Sequence, residues 1–91
     1  MRFEWDEAKR RANLRDHGID LTVVEKILAG ATISFVGDRF DYGEMRLQKF
    51  GLLNDKVVAT THTETDDVMR VISIRKATKH EEKIYFRKAK D

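Results

Sequence analysis

The sequence of 91 residues contains no cysteine and no proline. Without cysteine, the chain can form neither a disulfide nor a thiolate metal site, and it has no thiol nucleophile. Proline, Ser/Gly-rich stretches and internal repeats are all missing, so we expect residues 1–91 to form a single domain. No apolar stretch resembles a signal peptide, and we therefore expect a cytoplasmic protein that does not contact a membrane.

Charge is distributed unevenly along the chain, although the formal net charge is only +2. Residues 75–91 hold seven Lys or Arg against three acids, a local charge of +4, whereas residues 20–74 hold six against nine. A basic segment of this kind is typical of proteins that bind a polyanion, and equally of a solvated helix face. Charge alone does not decide between them.

Capping signals predict three helices, with N-caps at Asp6, Asp20 and Thr78. Side-chain oxygens at such positions accept hydrogen bonds from the free amides of the first helical turn. Thr78 and Glu81 also form a Thr-x-x-Glu capping box, and Gly18 suits the left-handed position that ends a helix. The first two helices are predicted over residues 7–17 and 21–29, and the third follows Thr78.

Between the second and third helices, the hydrophobic period changes from 3.6 to 2, which indicates strands. Strands are predicted over residues 32–36, 44–53, 56–63 and 68–75, and residues 2–4 suit an edge strand. Tight turns join the last three as an antiparallel meander. This order predicts an α+β fold, in which two N-terminal helices and one C-terminal helix pack on one face of a mostly antiparallel sheet of four to five strands.

The first helix carries a polar row, because Lys9, Asn13 and His17 are each four residues apart. Such a row ending in histidine suits contact with RNA or proton transfer near neutral pH. The alternative is structural: Lys9 and Asn13 are solvated, and His17 helps to end the helix near its negative dipole.

The strands supply a second group of candidates. Glu44 and Arg46 share one face of a strand, and the tight turn between the next two strands suggests that His62 lies near Arg70, on whichever face the register allows. Arg75 ends the last strand. For RNA cleavage, Glu44 or a histidine would act as base while arginines stabilise charge on phosphorus. The alternative is a network of ion pairs on a solvated sheet face, without catalysis.

A metal site is not expected, because the three histidines at positions 17, 62 and 80 lack the close spacing of zinc or calcium ligands. No glycine-rich phosphate loop and no nucleophile elbow occurs. We therefore expect the protein to use neither a metal nor an organic cofactor.

Three motifs occur in order: Phe3-x-Trp5-Asp6-x-x-Lys9-x-x-x-Asn13-x-x-x-His17-Gly18-Ile19, Gly43-Glu44-x-Arg46, and Arg70-x-Ile72-Ser73-x-Arg75-Lys76-Ala77-Thr78-x-x-Glu81-x-x-x-Tyr85. Together they resemble the signatures of the BrnT family, the toxins of a type II toxin–antitoxin system. The resemblance spans residues 3–85. It implies a compact fold similar to RelE-type toxins and a ribonuclease activity that cleaves RNA and arrests translation.

The resemblance also implies partners and site residues. The expected partner is a BrnA-like ribbon-helix-helix antitoxin, in a heterotetramer that reaches operator DNA only through the antitoxin. The resemblance marks nine polar motif residues as the site, and we divide them by their chemistry. Those expected to be catalytic are Glu44, Arg46, Arg70, Arg75, His17 and Tyr85, and those expected to bind RNA are Lys9, Ser73 and Lys76. The competing hypothesis is a non-catalytic protein- or DNA-binding module that acts only within a repressor complex.

Overall fold

The computed structural model describes residues 1–41 and 44–89, and at residues 36–41, 44 and 45 it describes the backbone alone. In chain order the elements are β1 (Arg2–Glu4), α1 (Glu7–His17), a 3₁₀ turn (Leu21–Val23), α2 (Val24–Ala29), β2 (Ile33–Asp41), β3 (Glu44–Leu53), β4 (Lys56–Glu64), β5 (Val68–Lys76) and α3 (Lys79–Ala89). None of the helices in the described ranges is long and apolar enough to cross a membrane.

The five strands form one sheet in the order β1-β5-β4-β3-β2. β1 pairs in parallel with β5, and all other neighbours are antiparallel. The predicted α+β class and the mostly antiparallel sheet are therefore confirmed. Asn54 and Asp55 connect β3 to β4 with positive φ angles of 51° and 66°, the backbone that the favoured two-residue hairpin turn requires.

Local signals set the ends of α1 and α3 as predicted. The Asp6 carboxylate accepts from two amides of the first turn of α1 at 2.8 and 3.3 Å. Gly18 follows that helix with a φ angle of 69°. At α3, Thr78 Oγ1 accepts from the Glu81 amide at 3.1 Å, and Glu81 Oε1 accepts from the Thr78 amide at 2.8 Å, which completes the capping box.

Helices lie on both faces of the sheet, so the prediction that all of them pack on one face is wrong. The 3₁₀ turn and α2 cover one face, in a core formed by Ile19, Leu21, Val24, Ile27, Val58, Met69, Val71 and Ile74. The opposite face carries α3, in a core formed by Phe50, Val57, Ala59 and Tyr85. Alternation sends neighbours such as Val57 and Val58 to opposite faces, so the first half of β4 contributes apolar side chains to both cores. We call these surfaces the α2 face and the α3 face.

Close packing between α2 and β3 depends on Gly51. A Cβ atom at this position would lie 2.8 Å from Ile27 Cγ2 and 3.2 Å from Thr32 Cγ2. Ile27 is fully buried, so its side chain has no room to move away. We expect Gly51→Ala to lower the free energy of unfolding by about 1–3 kcal/mol, as overpacking does, and urea denaturation measures this.

Gly30→Ala is the matched control, because it approaches the same isoleucine without a clash. Its Cβ atom would lie 3.9 Å from the Ile27 carbonyl oxygen, and its φ angle of −95° suits any residue. We expect no loss of stability there. Equal losses in both glycine variants would contradict the packing account.

Candidate functional site

The part of the α3 face that lies beyond the core under α3 is polar. From β5 it receives Arg70, Ser73 and Arg75. Each of them pairs with a residue of β4, and because these three partners follow one another at intervals of two positions, all of them lie on the same face. Arg70 and Ser73 share this face although they are three residues apart, because the register shifts at Ile72. Simple alternation along β5 would have placed them on opposite faces.

Arg46 of β3 joins the same surface. Gln48 pairs in register with Thr61 of β4, and its Nε2 donates to Thr61 Oγ1 at 3.4 Å. Arg46 lies two residues before Gln48 and therefore faces the same way. The Glu44 side chain lies outside the described residues. We call the surface formed by Arg46, Gln48, Thr61, Arg70 and Ser73 the polar sheet surface.

An open cleft adjoins this surface at the end of β5. Its volume is about 530 Å³, and its lining residues are Asp16, His17, Arg75, Lys76 and Thr78. His17 comes from the last turn of α1, whereas Arg75 and Lys76 end β5. The fold therefore brings His17 together with two predicted site residues, Arg75 and Lys76, that are far from it in sequence. Asp16 was not predicted, although its place beside His17 was a usable signal. We call this the His17 cleft.

Asn13 explains why α1 lies beside the cleft. β1 pairs with β5 only as far as Arg70, which leaves the rest of that edge to α1. The Asn13 amide nitrogen donates to the carbonyls of Ile74 and Ile19 at 2.9 and 2.8 Å, and its oxygen accepts from the Ile74 amide at 3.1 Å. Asn13 is only 5% exposed, so the interpretation of Asn13 as solvated is wrong: the side chain takes the place of a neighbouring strand.

Lys9 and His17 lie one helical turn to either side of Asn13 and are exposed. Eight residues separate them, which corresponds to about 12 Å along a helix axis. Lys9 is not among the lining residues of the His17 cleft. It instead adds positive charge to the surface of α1, the helix that flanks β5.

A bidentate ion pair holds the guanidinium of Arg75. Its Nη1 and Nη2 donate to the two carboxylate oxygens of Glu81 at 2.7 and 2.9 Å. Hydrogen bonding to Arg75 lowers the pKa of Glu81 to about 2, and the same contact raises the pKa of Arg75. Arg75 is therefore fixed in orientation. Among the residues that the structure describes, its Nε–H and one hydrogen of Nη2 have no acceptor.

Arg70 occupies the far end of the polar sheet surface. Its Nε donates to Glu4 Oε1 at 3.3 Å, and both residues line a smaller recess of about 160 Å³ together with Thr63. The Arg70 side chain is 62% exposed. Because exposed ion pairs contribute little to stability, Arg70 can exchange Glu4 for a phosphate at small cost.

Tyr85 belongs to the core beneath α3. It is 1% exposed, and its hydroxyl donates to the Ala31 carbonyl at 2.8 Å. A buried hydroxyl that already has a partner does not reach a substrate. Tyr85 therefore packs α3 on the sheet, which corrects its expected place among the catalytic residues.

His62 lies on the α2 face, because its register partner is Val71, whereas Arg70 faces the other side. His62 and Arg70 are neighbours in the paired strands, but the register sends their side chains to opposite faces, so they do not share a site. The His62 ring is fully buried, with Nε2 3.1 Å from Glu64 Oε1, which also lies 3.7 Å from Lys49 Nζ. Its Nδ1 has no hydrogen-bond partner in the described part of the chain.

This environment predicts a loss of stability in acid. Burial lowers the pKa of His62, and the nearby Lys49 adds to this while Glu64 opposes it. The folded state thus binds the proton less readily than the unfolded chain, whose histidine has a pKa of about 6.5. The contribution of neutral His62 to the free energy of unfolding is therefore present above that pH, and it is lost as the pH falls below it.

We expect the urea midpoint of the wild type to fall between about pH 7.5 and about pH 5.5. His62→Gln should reduce this pH dependence, whereas His80→Gln should keep it, because His80 is exposed on α3. An identical pH dependence in wild type and His62→Gln would contradict the prediction.

The groups of the His17 cleft suit chemistry on a phosphodiester. An imidazole transfers protons, and a guanidinium and an ammonium stabilise negative charge that develops on phosphoryl oxygens. Within residues 1–41 and 44–89, no cluster of three or more His, Asp or Glu side chains is arranged to hold a metal ion.

Comparison with curated proteins finds none that matches this chain. A family model described as "Ribonuclease toxin, BrnT, of type II toxin-antitoxin system" matches residues 5–81. The matched range contains both the His17 cleft and the polar sheet surface, and it ends in the first turn of α3.

Proposed function

The chain belongs to the BrnT family of ribonuclease toxins of type II toxin–antitoxin systems, and from this premise we propose that it is a metal-independent endoribonuclease. The reaction takes place in the His17 cleft. The observation that carries this assignment is the meeting of His17 with Arg75 and Lys76 in one open cleft beside the polar sheet surface.

In the proposed reaction, His17 accepts the proton of a ribose 2′-hydroxyl. The 2′-oxygen then attacks the adjacent phosphorus, the bond from phosphorus to the 5′-oxygen breaks, and the 5′-oxygen takes up a proton from protonated His17 or from water. A 2′,3′-cyclic phosphate and a 5′-hydroxyl result. The Arg75 Nε–H and the Lys76 ammonium face the charge that develops on the phosphoryl oxygens.

Neighbouring nucleotides bind along the polar sheet surface. Arg46 and Arg70 contact phosphates, Ser73 lies between them and the cleft, and Lys9 attracts the strand from α1. Phosphate contacts of this kind fix the position of the strand and make binding sensitive to salt. Arg70 gives up its exposed pairing with Glu4 in the process.

A type II system implies a protein antitoxin as partner. We propose that this partner is a BrnA-like ribbon-helix-helix protein and that the two form a heterotetramer, which binds operator DNA through the antitoxin only. The free toxin, with a RelE-like fold, acts in the cytoplasm and inhibits translation by cleaving RNA.

Induced expression tests the proposal in cells. We expect the wild-type chain to arrest growth and to fragment RNA, and we expect co-expression of the antitoxin to prevent both. Growth arrest with intact RNA would favour the non-catalytic binding module. Normal growth with intact RNA at every level of expression would refute a toxin that cleaves RNA.

A further inference from the structure

A second recess lies next to the His17 cleft, and Lys76 lines both. The second recess has a volume of about 340 Å³, at the lower end of the range for ligand pockets. Its lining includes Asp55, Lys56, Val57, Ala77, Glu82 and Phe86. We call it the Phe86 recess. Lys76 therefore separates the Phe86 recess from the His17 cleft and contacts a ligand in either of them.

Phe86 presents a fixed aromatic ring to this recess. It is 47% exposed, although it sits on the buried Tyr85 ring, with centroids 5.3 Å apart and an edge-to-face angle of 79°. A single exposed aromatic residue needs no ligand to explain it. Its position beside a cleft that carries basic groups is the informative observation.

The remaining walls of the recess suit a nucleobase. Val57 and Ala77 supply apolar surface, Lys56 supplies a donor, and the carboxylates of Asp55 and Glu82 supply acceptors. An unpaired base offers the complementary features, which are two apolar faces and an edge of donors and acceptors. Proteins that bind single-stranded RNA combine aromatic stacking with such edge contacts.

The outer surface of α3 continues the positive charge. Lys79, Lys83 and Arg87 are four residues apart and exposed, so they form one row along the helix. None of the three has an ion-pair partner among the described residues, whereas Arg10 and Arg15 of α1 are both paired with carboxylates. Unpaired cations at a regular spacing suit a run of phosphates.

We propose that the Phe86 recess binds an unpaired RNA base stacked on Phe86, next to the phosphodiester in the His17 cleft, while the adjoining backbone follows the basic row of α3. The inference rests on the proposed function and deepens it. It makes the Phe86 recess a determinant of which RNA sequences are cleaved.

Fluorescence anisotropy with a single-stranded 2′-O-methyl RNA tests this, because that oligonucleotide has no free 2′-hydroxyl and stays intact. Base stacking is worth about 1–3 kcal/mol, so Phe86→Ala should weaken binding by about 5- to 150-fold. Phe86→Trp should restore it. Leu14→Ala is the matched control, since Leu14 is 45% exposed on α1 and should leave affinity unchanged.

The basic row is tested by the salt dependence of the same binding. Replacing Lys79, Lys83 and Arg87 with Gln should reduce the slope of log affinity against log salt by about 2, at roughly 0.7 per phosphate contact. The control variant removes the same charge elsewhere, through Gln at Arg2, Arg11 and Lys26.

Wild-type affinity in Phe86→Ala, or no binding of the oligonucleotide by the wild type, overturns the proposal. Unchanged RNA affinity with weaker antitoxin binding also overturns it and assigns the recess to a protein partner. Binding that depends on Phe86, in a wild-type chain that cleaves no RNA, would leave base binding in the Phe86 recess standing, while the proposed function fails and with it the role of the recess in cleavage specificity.

Discussion

His17→Ala is expected to lower the rate of RNA cleavage by about 10²- to 10⁴-fold, the range typical of general acid–base catalysis. The imidazole lies in the cleft with Arg75 and Lys76, whereas the neighbouring Asp16 carboxylate is paired with Arg15 at 3.2 Å. Loss of His17 therefore removes the proposed acceptor for the 2′-hydroxyl proton. His17 is exposed at the end of α1, and the fold should persist. Single-turnover cleavage of a labelled RNA oligonucleotide measures the effect.

His80→Ala serves as the matched control, because His80 is also an exposed helical histidine but is not among the lining residues of the cleft. Its cleavage rate should stay close to that of the wild type. Added imidazole should partly restore cleavage by His17→Ala, as a missing proton acceptor predicts. Undiminished cleavage by His17→Ala would exclude His17 from catalysis.

Arg75→Ala should lower the cleavage rate by about 10²- to 10³-fold, the loss seen when one fixed donor to a developing oxyanion is removed. The ion pair with Glu81 fixes the guanidinium at the cleft, and among the described residues its Nε–H and one hydrogen of Nη2 have no acceptor, so these donors are left for a phosphoryl oxygen. Arg75→Lys should give an intermediate rate, because lysine keeps the charge but not the planar fork.

Arg10→Ala controls for the loss of a paired arginine. Arg10 donates from Nε to the Glu7 carboxylate at 2.9 and 3.0 Å and from Nη1 to Asp20 at 3.0 Å, and it is not among the lining residues of the His17 cleft. We expect its cleavage rate to remain near that of the wild type. Equal losses in the Arg10 and Arg75 variants would mean that both act through stability.

A second control addresses the Glu81 carboxylate, which loses its partner in Arg75→Ala. If the unpaired Glu81 caused the loss of activity, Glu81→Gln combined with Arg75→Ala should restore the rate. We expect no restoration, because the missing donor limits the reaction. Full recovery in the double variant would reduce Arg75 to a structural residue.

The helix ends could be predicted from the sequence because their causes are local. Asp6 reaches amides two and three residues away, and Thr78 and Glu81 bond to each other within one turn. Capping of this kind needs no tertiary information. The α+β class followed from the same signals together with the change of hydrophobic period.

Which residues form the site depends on the long-range pairing of strands, and hydrophobic periodicity carries no information about that pairing. The shift at Ile72 places Arg70 and Ser73 on one face, and it is defined only by how β5 pairs with β4. His62 and Arg70 are close along the predicted hairpin, yet they face opposite sides. Beyond a bulge, every residue of the strand faces the side opposite to the one that simple alternation predicts.

Asn13 shows the same limit for α1. Its spacing from His17 predicted a shared helix row but not that the row faces the open edge of β5. That contact exists because β1 stops at Arg70 and the Asn13 amide bonds to both backbone groups of Ile74. The meeting of His17 with Lys76 follows from this long-range contact, which no local pattern reveals.

End-group analysis of RNA incubated with the purified protein in EDTA distinguishes the proposed reaction from its alternatives. We expect cleavage in the absence of divalent metal, with 2′,3′-cyclic phosphate and 5′-hydroxyl ends, and no cleavage at a position that carries a 2′-O-methyl group. Intact RNA at every protein concentration, or cleavage that continues past a 2′-O-methyl group at the scissile position, would contradict it.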